Sequence, residues 1–327
     1  MSILVTGSSG HLGEAIVRLL EARGRSVVGL DINPSPHTKI TGSLCDRSLV
    51  RSALRDIDAV IHTATLHKPH VATHPRQEFI DTNVTGTLNL LEETVDAGIE
   101  TFVFTSTTSV FGDALVPQPG EPAAWITEDV APNPKNIYGI TKLAAENMCR
   151  FFARKYGLHT TVLRTSRFFP EEDDRREIRQ GFADENAKAN EFLFRRVDIE
   201  DAAEAHLCAM DRASADAFRL YVISATTPFR REDLRALRTD ASGVLQRRLP
   251  ALAAEYRRRG WKMFPQIDRV YVNDRARAEL GWTPAYNHDV LLERLKADKP
   301  VLGSMAATVG IKGYHTETFS EGPYPVD

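Results

Sequence analysis

The feature that most constrains this chain is the octet Thr6-Gly7-Ser8-Ser9-Gly10-His11-Leu12-Gly13, in which evenly spaced glycines separate two different periodicities. Before it, Ile3-Leu4-Val5 is a short aliphatic run that suits a buried strand; after it, Leu12, Ile16, Leu19 and Leu20 recur at helical spacing. A strand, a glycine turn and a helix in that order assign each glycine a task. Gly7 reverses the chain, Gly10 admits backbone N–H groups to a pyrophosphate, and Gly13 lets helix and strand pack closely. The helix N-terminus, opening with His11 and Leu12, then turns its partial positive charge toward the phosphates.

The next strand, Ser26-Val27-Val28-Gly29-Leu30, ends in Asp31 and Ile32. Asp31 follows the turn at about the 20-residue interval from which a carboxylate reaches a ribose diol. It would repel a 2′-phosphate, and no Lys or Arg intervenes before Lys39, so the expected cofactor is NAD rather than NADP. Further strands are predicted near 58–62, 101–106, 159–164 and 218–223, alternating with helices near 11–23, 47–55, 76–97, 138–156 and 199–212. That alternation predicts an α/β, Rossmann-type doubly wound parallel sheet. Helices near 274–281 and 288–297, with Trp261, Phe264, Pro265 and Tyr271, would build a small C-terminal substrate lobe.

A second pattern, Tyr138-Gly139-Ile140-Thr141-Lys142, opens a predicted helix and places Lys142 one turn beyond Tyr138 on the same face. A free phenol, with pKa near 10, is a poor base at neutral pH. An adjacent ammonium and a nicotinamide cation would favour phenolate, and bringing it to pH 7 needs about 4 kcal/mol of differential stabilisation. Tyr138 would then exchange a proton with a substrate hydroxyl, while Lys142 sets its pKa and holds the nicotinamide ribose. The plainer alternative is an amphipathic surface tyrosine beside a solvated lysine.

With further segments in register, the chain resembles the extended short-chain dehydrogenases/reductases, specifically the NAD-dependent epimerase/dehydratase family that includes UDP-galactose 4-epimerase. The segments are Val60-Ile61-His62-Thr63-Ala64, Asn83-Val84-Thr85-Gly86-Thr87-Leu88-Asn89-Leu90-Leu91, Phe102-Val103-Phe104-Thr105-Ser106-Thr107, Val110-Phe111-Gly112 and Leu163-Arg164, with a weaker echo from Val197 to Met210. The resemblance implies that Thr63, Ala64, Thr65, His67, Asn83, Thr105, Ser106 and Ser166 meet the cofactor, with Ser43 and Leu44 on its adenine side. It implies that Thr107, four positions before Phe111, orients the reacting hydroxyl beside Thr108. Thr105 and Ser106 also read as strand end, and Asn83 as a tie between backbone segments.

Departures narrow the chemistry. Family dehydratases carry Asp and Glu where this chain has Thr108 and Ser109, and related decarboxylases carry Glu in place of Ser109. Neither hydroxyl takes a proton near neutral pH, so elimination and decarboxylation by those routes are disfavoured. Arg167, before Phe168, replaces the family asparagine, and it could grip a carboxylate or phosphate or pair with Glu171 or Asp173. The interval from Phe169 to Arg195 is short for a nucleotide-sugar cradle, and its run Glu171–Glu177 reads as a solvated face or mobile loop. Arg195 and Arg196, with Arg230 and Arg231, form either a phosphate clamp or helix-surface pairs. The substrate is thus expected to be a sugar nucleotide or a smaller polyol or phosphorylated molecule.

The expected organisation is an NAD-binding core over 1–165, completed by about 197–225, a substrate lobe from 166–196 and 226–297, and a tail over 298–327. The tail's Gly310, Gly313-Tyr314-His315, Phe319 and Gly322-Pro323-Tyr324-Pro325 suggest packing on the body or on a partner. A formal charge of −3 gives no reason to expect nucleic-acid binding. The scattered cysteines Cys45, Cys149 and Cys208 lack metal spacing, and Pro69 and Pro75 break any helix that would align His67, His70 and His74 on a metal. The short apolar opening lacks a basic flank, and no apolar run is long enough to cross a membrane, so a cytoplasmic protein is expected. Helices near 76–97 and 138–156 resemble those that relatives pair into a homodimer. Three functions stay open: an epimerase that recycles NAD, a dehydrogenase or reductase that releases the reduced form, and a silent cofactor-binding sensor or scaffold.

Overall fold

A computed structural model describes residues 1–212, 216–313 and 319. Its strands are β1 (Ser2–Thr6), β2 (Ser26–Asp31), β3 (Ile40–Thr41), β4 (Ala59–His62), β5 (Thr101–Thr107), β6 (Ala124–Ile126), β7 (His159–Thr165), β8 (Phe218–Ile223) and β9 (Arg269–Tyr271). Seven form one parallel sheet in the order β3-β2-β1-β4-β5-β7-β8, and β6 pairs with β9 apart from it. The chain runs outward from β1 to β3 and returns beside β1 as β4. Strand order therefore reverses between β1 and β4, which opens a crevice at their C-terminal ends.

Helices α1 (His11–Ala22), α2 (Arg47–Ala53), α3 (Arg76–Phe79), α4 (Gly86–Asp96) and α5 (Ile137–Tyr156) are followed by α6 (Arg176–Gly181), α7 (Asp184–Phe192) and α8 (Ile199–Asp211), and α2, α4 and α5 cover one face of the sheet while α1 and α8 cover the other. Side chains alternate along each strand, so one strand serves two cores. Leu4, Val60, Phe102, Phe104 and Val162 pack with Val50, Leu90, Leu91, Cys149 and Phe152 of α2, α4 and α5. Val5, Ile61, Val103, Leu163 and Ile223 pack with Ile16 and Leu20 of α1 and Ala203 and Leu207 of α8. The stretch expected as one helix over 76–97 is interrupted between α3 and α4 by a π-helical segment, Ile80–Thr85.

A separate core joins Phe192, Phe194, Phe229, Leu252, Tyr256, Phe264 and Leu291. Within it Trp261 meets Tyr256 at 5.8 Å between ring centroids, and Phe264 meets Phe182 at 4.8 Å.

The acidic run after Phe169 corrects one expectation. Only part of it is a solvated face: Glu172, Arg175, Arg176 and Glu177 are exposed, while Glu171, Asp173 and Asp174 turn inward and are only 6%, 7% and 8% exposed. Each carboxylate meets a basic group from elsewhere: Glu171 pairs with His11 at 2.8 Å, Asp173 with Arg195 at 2.6 Å, and Asp174 with both Lys68 and Arg167. Of the tail, Ser304–Val309 is helical, and Lys312 reaches Glu14 and Glu171. Tyr314, His315, Gly322, Pro323, Tyr324 and Pro325 lie outside the described residues. No helix among the described residues is long and apolar enough to cross a membrane.

Candidate active site

A cavity of about 730 Å³ runs along the C-terminal ends of the strands, past the glycine turn at one end and Arg167 at the other. Two of the three glycines are required by contact. A Cβ on Gly7, whose φ is +76°, would lie 2.6 Å from Thr63 Oγ1, and one on Gly13 would lie 1.9 Å from Gly7 O. A Cβ on Gly10 meets the same oxygen at 3.3 Å, a milder conflict. Asp31, at the end of β2, accepts hydrogen bonds from Ser9 N at 3.1 Å and Asn33 N at 2.9 Å. Its carboxylate thereby fixes the turn while lining the cavity, together with Gly7, Gly10, His11, Leu12, Gly13, Ile32, Ser43 and Leu44.

Thr63, Ala64, Thr65 and His67 line the middle of the same cavity, following β4. Asn83 does not. Its Oδ1 accepts from Leu66 N at 2.8 Å and Thr65 Oγ1 at 3.0 Å, while its Nδ2 donates to Leu66 O at 2.9 Å and Thr141 Oγ1 at 3.0 Å. It holds the wall in place against α5. Thr105 and Ser106 border the cavity, yet their hydroxyls are engaged behind it, on His206 at 2.8 Å and Glu146 at 2.5 Å. Glu146 also takes a two-pronged contact from Arg164, at 3.0 and 2.7 Å. Ser166 differs: it lines the cavity and its buried Oγ has no hydrogen-bond partner among the described residues. An orphan hydroxyl, a glycine turn with no space for side chains, and a carboxylate at the end of β2 fit a bound dinucleotide.

Thr107 ends β5, and α5 starts after Asn136, whose side chain accepts from Gly139 N at 3.0 Å. This cap places Tyr138 and Lys142 in the first turns, 8% and 2% exposed, with Thr107 and Thr108 on the facing wall. Lys142 Nζ stands 4.1 Å from the centroid of the Phe104 ring. Burial pushes the Tyr138 phenol up to about 12, opposed by a hydrogen bond from Thr107. Burial also drives the Lys142 ammonium down to about 7, opposed by the charges of Cys149 and Glu146. Without the cofactor's positive charge, loss of water therefore keeps the phenol above its ordinary value.

Beyond them lies a charged end. Arg167, Phe168 and Arg195 line the cavity, as do Lys68 and Asp174. Arg167 pairs with Asp174, rather than with the side chains of Glu171 or Asp173, and donates to Glu172 O at 2.6 Å. Arg196, 1% exposed, is locked behind the wall on Glu191 at 2.8 Å and Phe169 O at 2.9 Å. Burial would raise the Glu191 carboxyl, but Arg195, Arg196 and Arg167 hold it well below the usual carboxylate range. Arg230 and Arg231 line a different cavity, of about 560 Å³, beside Trp125, so no four-arginine clamp forms. Lys68 and Asp174 were missed at the sequence level, since nothing local marks a lysine after His67 or one acid in an acidic run as facing a cleft.

His67, His70 and His74 pack edge to face at 4.8 and 4.7 Å between centroids, and no cluster of three or more His, Cys, Asp or Glu side chains that could hold a metal occurs among the described residues.

The model of the NAD dependent epimerase/dehydratase family matches residues 3–224. The chain is 37% identical over 172 residues to a UDP-glucose 4-epimerase of Erwinia amylovora, covering 47% of this chain and 49% of that protein. It is 36% identical over 170 residues to the uncharacterised protein y4nG of Sinorhizobium fredii, covering 49% of this chain and 39% of the other. The chain thus spans about half the length, or less, of the curated relatives it matches. In fold it is similar to a solved short-chain dehydrogenase/reductase superfamily protein from Agrobacterium tumefaciens with bound NAD, with a TM-score of 0.63, 24% identity, and 94% and 97% of the two chains covered. The UDP-glucose 4-epimerase of Thermotoga maritima, solved with UDP-glucose, gives a TM-score of 0.62 at 24% identity, with 90% and 96% covered.

Proposed function

We propose, from the premise that the chain belongs to the NAD-dependent epimerase/dehydratase family, that it is an NAD-dependent enzyme acting on a secondary alcohol of a sugar nucleotide or a related phosphorylated or polyol substrate. The observation that carries this reading is the convergence of Thr107, Tyr138 and Lys142 on the cavity that also contains the glycine turn. Gly7, Gly10, Gly13 and Asp31 would hold NAD along the cleft, and Ser166 offers it a free hydroxyl. Bound there, NAD would supply the two-electron acceptor that these side chains lack.

Thr107 and Tyr138 present two hydroxyls to one cavity, so a substrate hydroxyl set between them can donate to one while accepting from the other. A phenol held up at about 12 is protonated at neutral pH, which suits it to deliver a proton to an alkoxide. To take a proton it needs added positive charge nearby, so cofactor binding arms the base. Lys142, with its pKa near 7, can adjust its own charge to match. Arg167 and Lys68, at the far end, favour a substrate that carries an anionic group.

The test compares the parent with Tyr138→Phe, both supplied with NAD and a panel of sugar nucleotides and sugar phosphates. Turnover is expected to fall about a hundredfold or more in the variant while NAD is retained. Equal, measurable turnover in both would remove the acid–base role of Tyr138, whereas NAD binding with no turnover of any panel member in the parent would favour a cofactor-binding sensor. Net accumulation of reduced nicotinamide, read by its near-ultraviolet absorbance, marks a dehydrogenase; its absence beside epimerised product marks an epimerase. A homodimer through α4 and α5 belongs to the same proposal.

A further inference from the structure

We propose that Asp174 is a built-in counter-ion occupying the position of the substrate's oxyanion, phosphoryl or carboxylate, which must displace it from Lys68 and Arg167 to bind. The inference takes from the proposed function only that the cavity receives substrate. The charge inventory motivates it. Lys68, Lys135, Lys142, Arg167, Arg195, Arg269 and Lys312 line this cavity, and among the described lining residues the carboxylates are Asp174 here and Asp31 at the cofactor end. Asp174 pairs through one oxygen with Lys68 and through the other with Arg167.

Donor capacity remains unused around it. The Nε atoms of Arg195 and Arg269 are buried and have no hydrogen-bond partner among the described residues. The carboxylates of Asp173 and Glu191 engage the outer nitrogen of Arg195 and do not line the cavity. An oxyanion that presents two oxygens to a guanidinium fork, as carboxylate and phosphoryl groups both do, is the ligand that such donors recognise.

Exchange also selects for charge. An incoming oxyanion replaces one ion pair with another, so Lys68 and Arg167 stay compensated. A neutral ligand that displaced Asp174 would leave Lys68 and Arg167 uncompensated in a partly dry site, which rejects it. Asp174 sits on the turn leading to α6, anchored where Arg179 Nη1 takes Asp173 O at 2.7 Å and Asp174 O at 2.6 Å. Its side chain can swing away while the sheet stays fixed.

The experiment measures binding rather than turnover, so its failure is separable from failure of the catalytic reading. NAD-loaded parent, Asp174→Asn, Lys68→Met and the double variant are titrated with inorganic phosphate and separately with acetate, at constant ionic strength, by calorimetry. Asp174→Asn is expected to bind one of the anions about tenfold more tightly than the parent, and the double variant to lose that gain. Preference for phosphate over acetate, or the reverse, identifies the substrate group as phosphoryl or carboxylate. Lys68→Met alters a partly exposed side chain and should weaken binding in the parent severalfold, an arm that survives if Asp174→Asn fails to fold. Equal affinity of parent and Asp174→Asn for both anions, or no loss in Lys68→Met, would overturn the proposal.

Discussion

Lys142 carries an ammonium where the fold disfavours one. Burial brings it down from its ordinary 10.5 to about 7. The unfolded chain therefore binds the extra proton between about pH 7 and 10.5, and stability rises with pH through that window. Below about pH 7 the penalty is complete; above about 10.5 it vanishes. In NAD-free protein, Lys142→Met is expected to raise stability at pH 6 by roughly 2–4 kcal/mol, with the advantage shrinking by pH 10. Urea unfolding at both pH values checks this, and a variant less stable than the parent at pH 6 would contradict it. Tyr138 gives a companion prediction. Its ionisation, isolated by subtracting the tyrosinate titration of Tyr138→Phe, should begin near 12 without NAD and move lower when NAD is added. No movement would mean that the cofactor does not arm the phenol.

At the scale of elements, the glycine turn separates a steric requirement from a milder one. At Gly13 an added Cβ would overlap the carbonyl of Gly7, backbone against backbone, at 1.9 Å, so relief requires separating α1 from β1. Gly13→Ala should cost about 3 kcal/mol or more and abolish NAD binding, whereas Gly10→Ala, with its contact at 3.3 Å, should lower stability by about 1 kcal/mol or less. Thermal unfolding ranks the two, and equal losses would refute the distinction. That turn was legible because its determinants are adjacent in sequence, as were the alternating strands and the Tyr138–Lys142 spacing. The burial of Glu171, Asp173 and Asp174 was not, since their partners His11, Arg195 and Lys68 arrive from separate elements. Helix α7 escaped notice because its polar residues are satisfied at a distance: Asn186 and Asn190 both donate to Lys262 O at 3.0 Å. The strands β6 and β9, three residues each, are too short to show a period. Within the site, sequence placed Asp31, Thr107 and Tyr138 on the cavity, but could not show that the hydroxyls of Thr105 and Ser106 turn toward His206 and Glu146.

At the scale of the whole molecule, α5 buries one side against the sheet and leaves apolar side chains on another. Ile140 is 49% exposed and Phe151 50%, and their separation of about three helical turns sets them on one stripe with Ala144 and the exposed Asn147 between. Tyr156, 52% exposed, extends the apolar surface and meets Phe151 edge to face at 6.1 Å between centroids. Isolated exposed apolar residues need no explanation, but a stripe along the helix that also carries Tyr138 and Lys142 suits the seam of a symmetric pair. Helix α4 packs beside α5, so a two-fold axis through this face would bring together four helices. Phe151→Glu places a charge in the centre of such a seam, and its desolvation cost should convert a dimer to monomer at micromolar concentration. Light scattering on parent and variant decides the matter: a dimeric parent with a monomeric, folded variant supports this seam, whereas a monomeric parent or an unaffected dimer rejects it. Because α5 starts at the active site and continues along the proposed seam, a folded monomeric variant would also show how far the positions of Tyr138 and Lys142 depend on a second copy. Turnover lost in proportion to the fraction of monomer, with NAD still bound, would place the origin of that dependence in the first turns of α5.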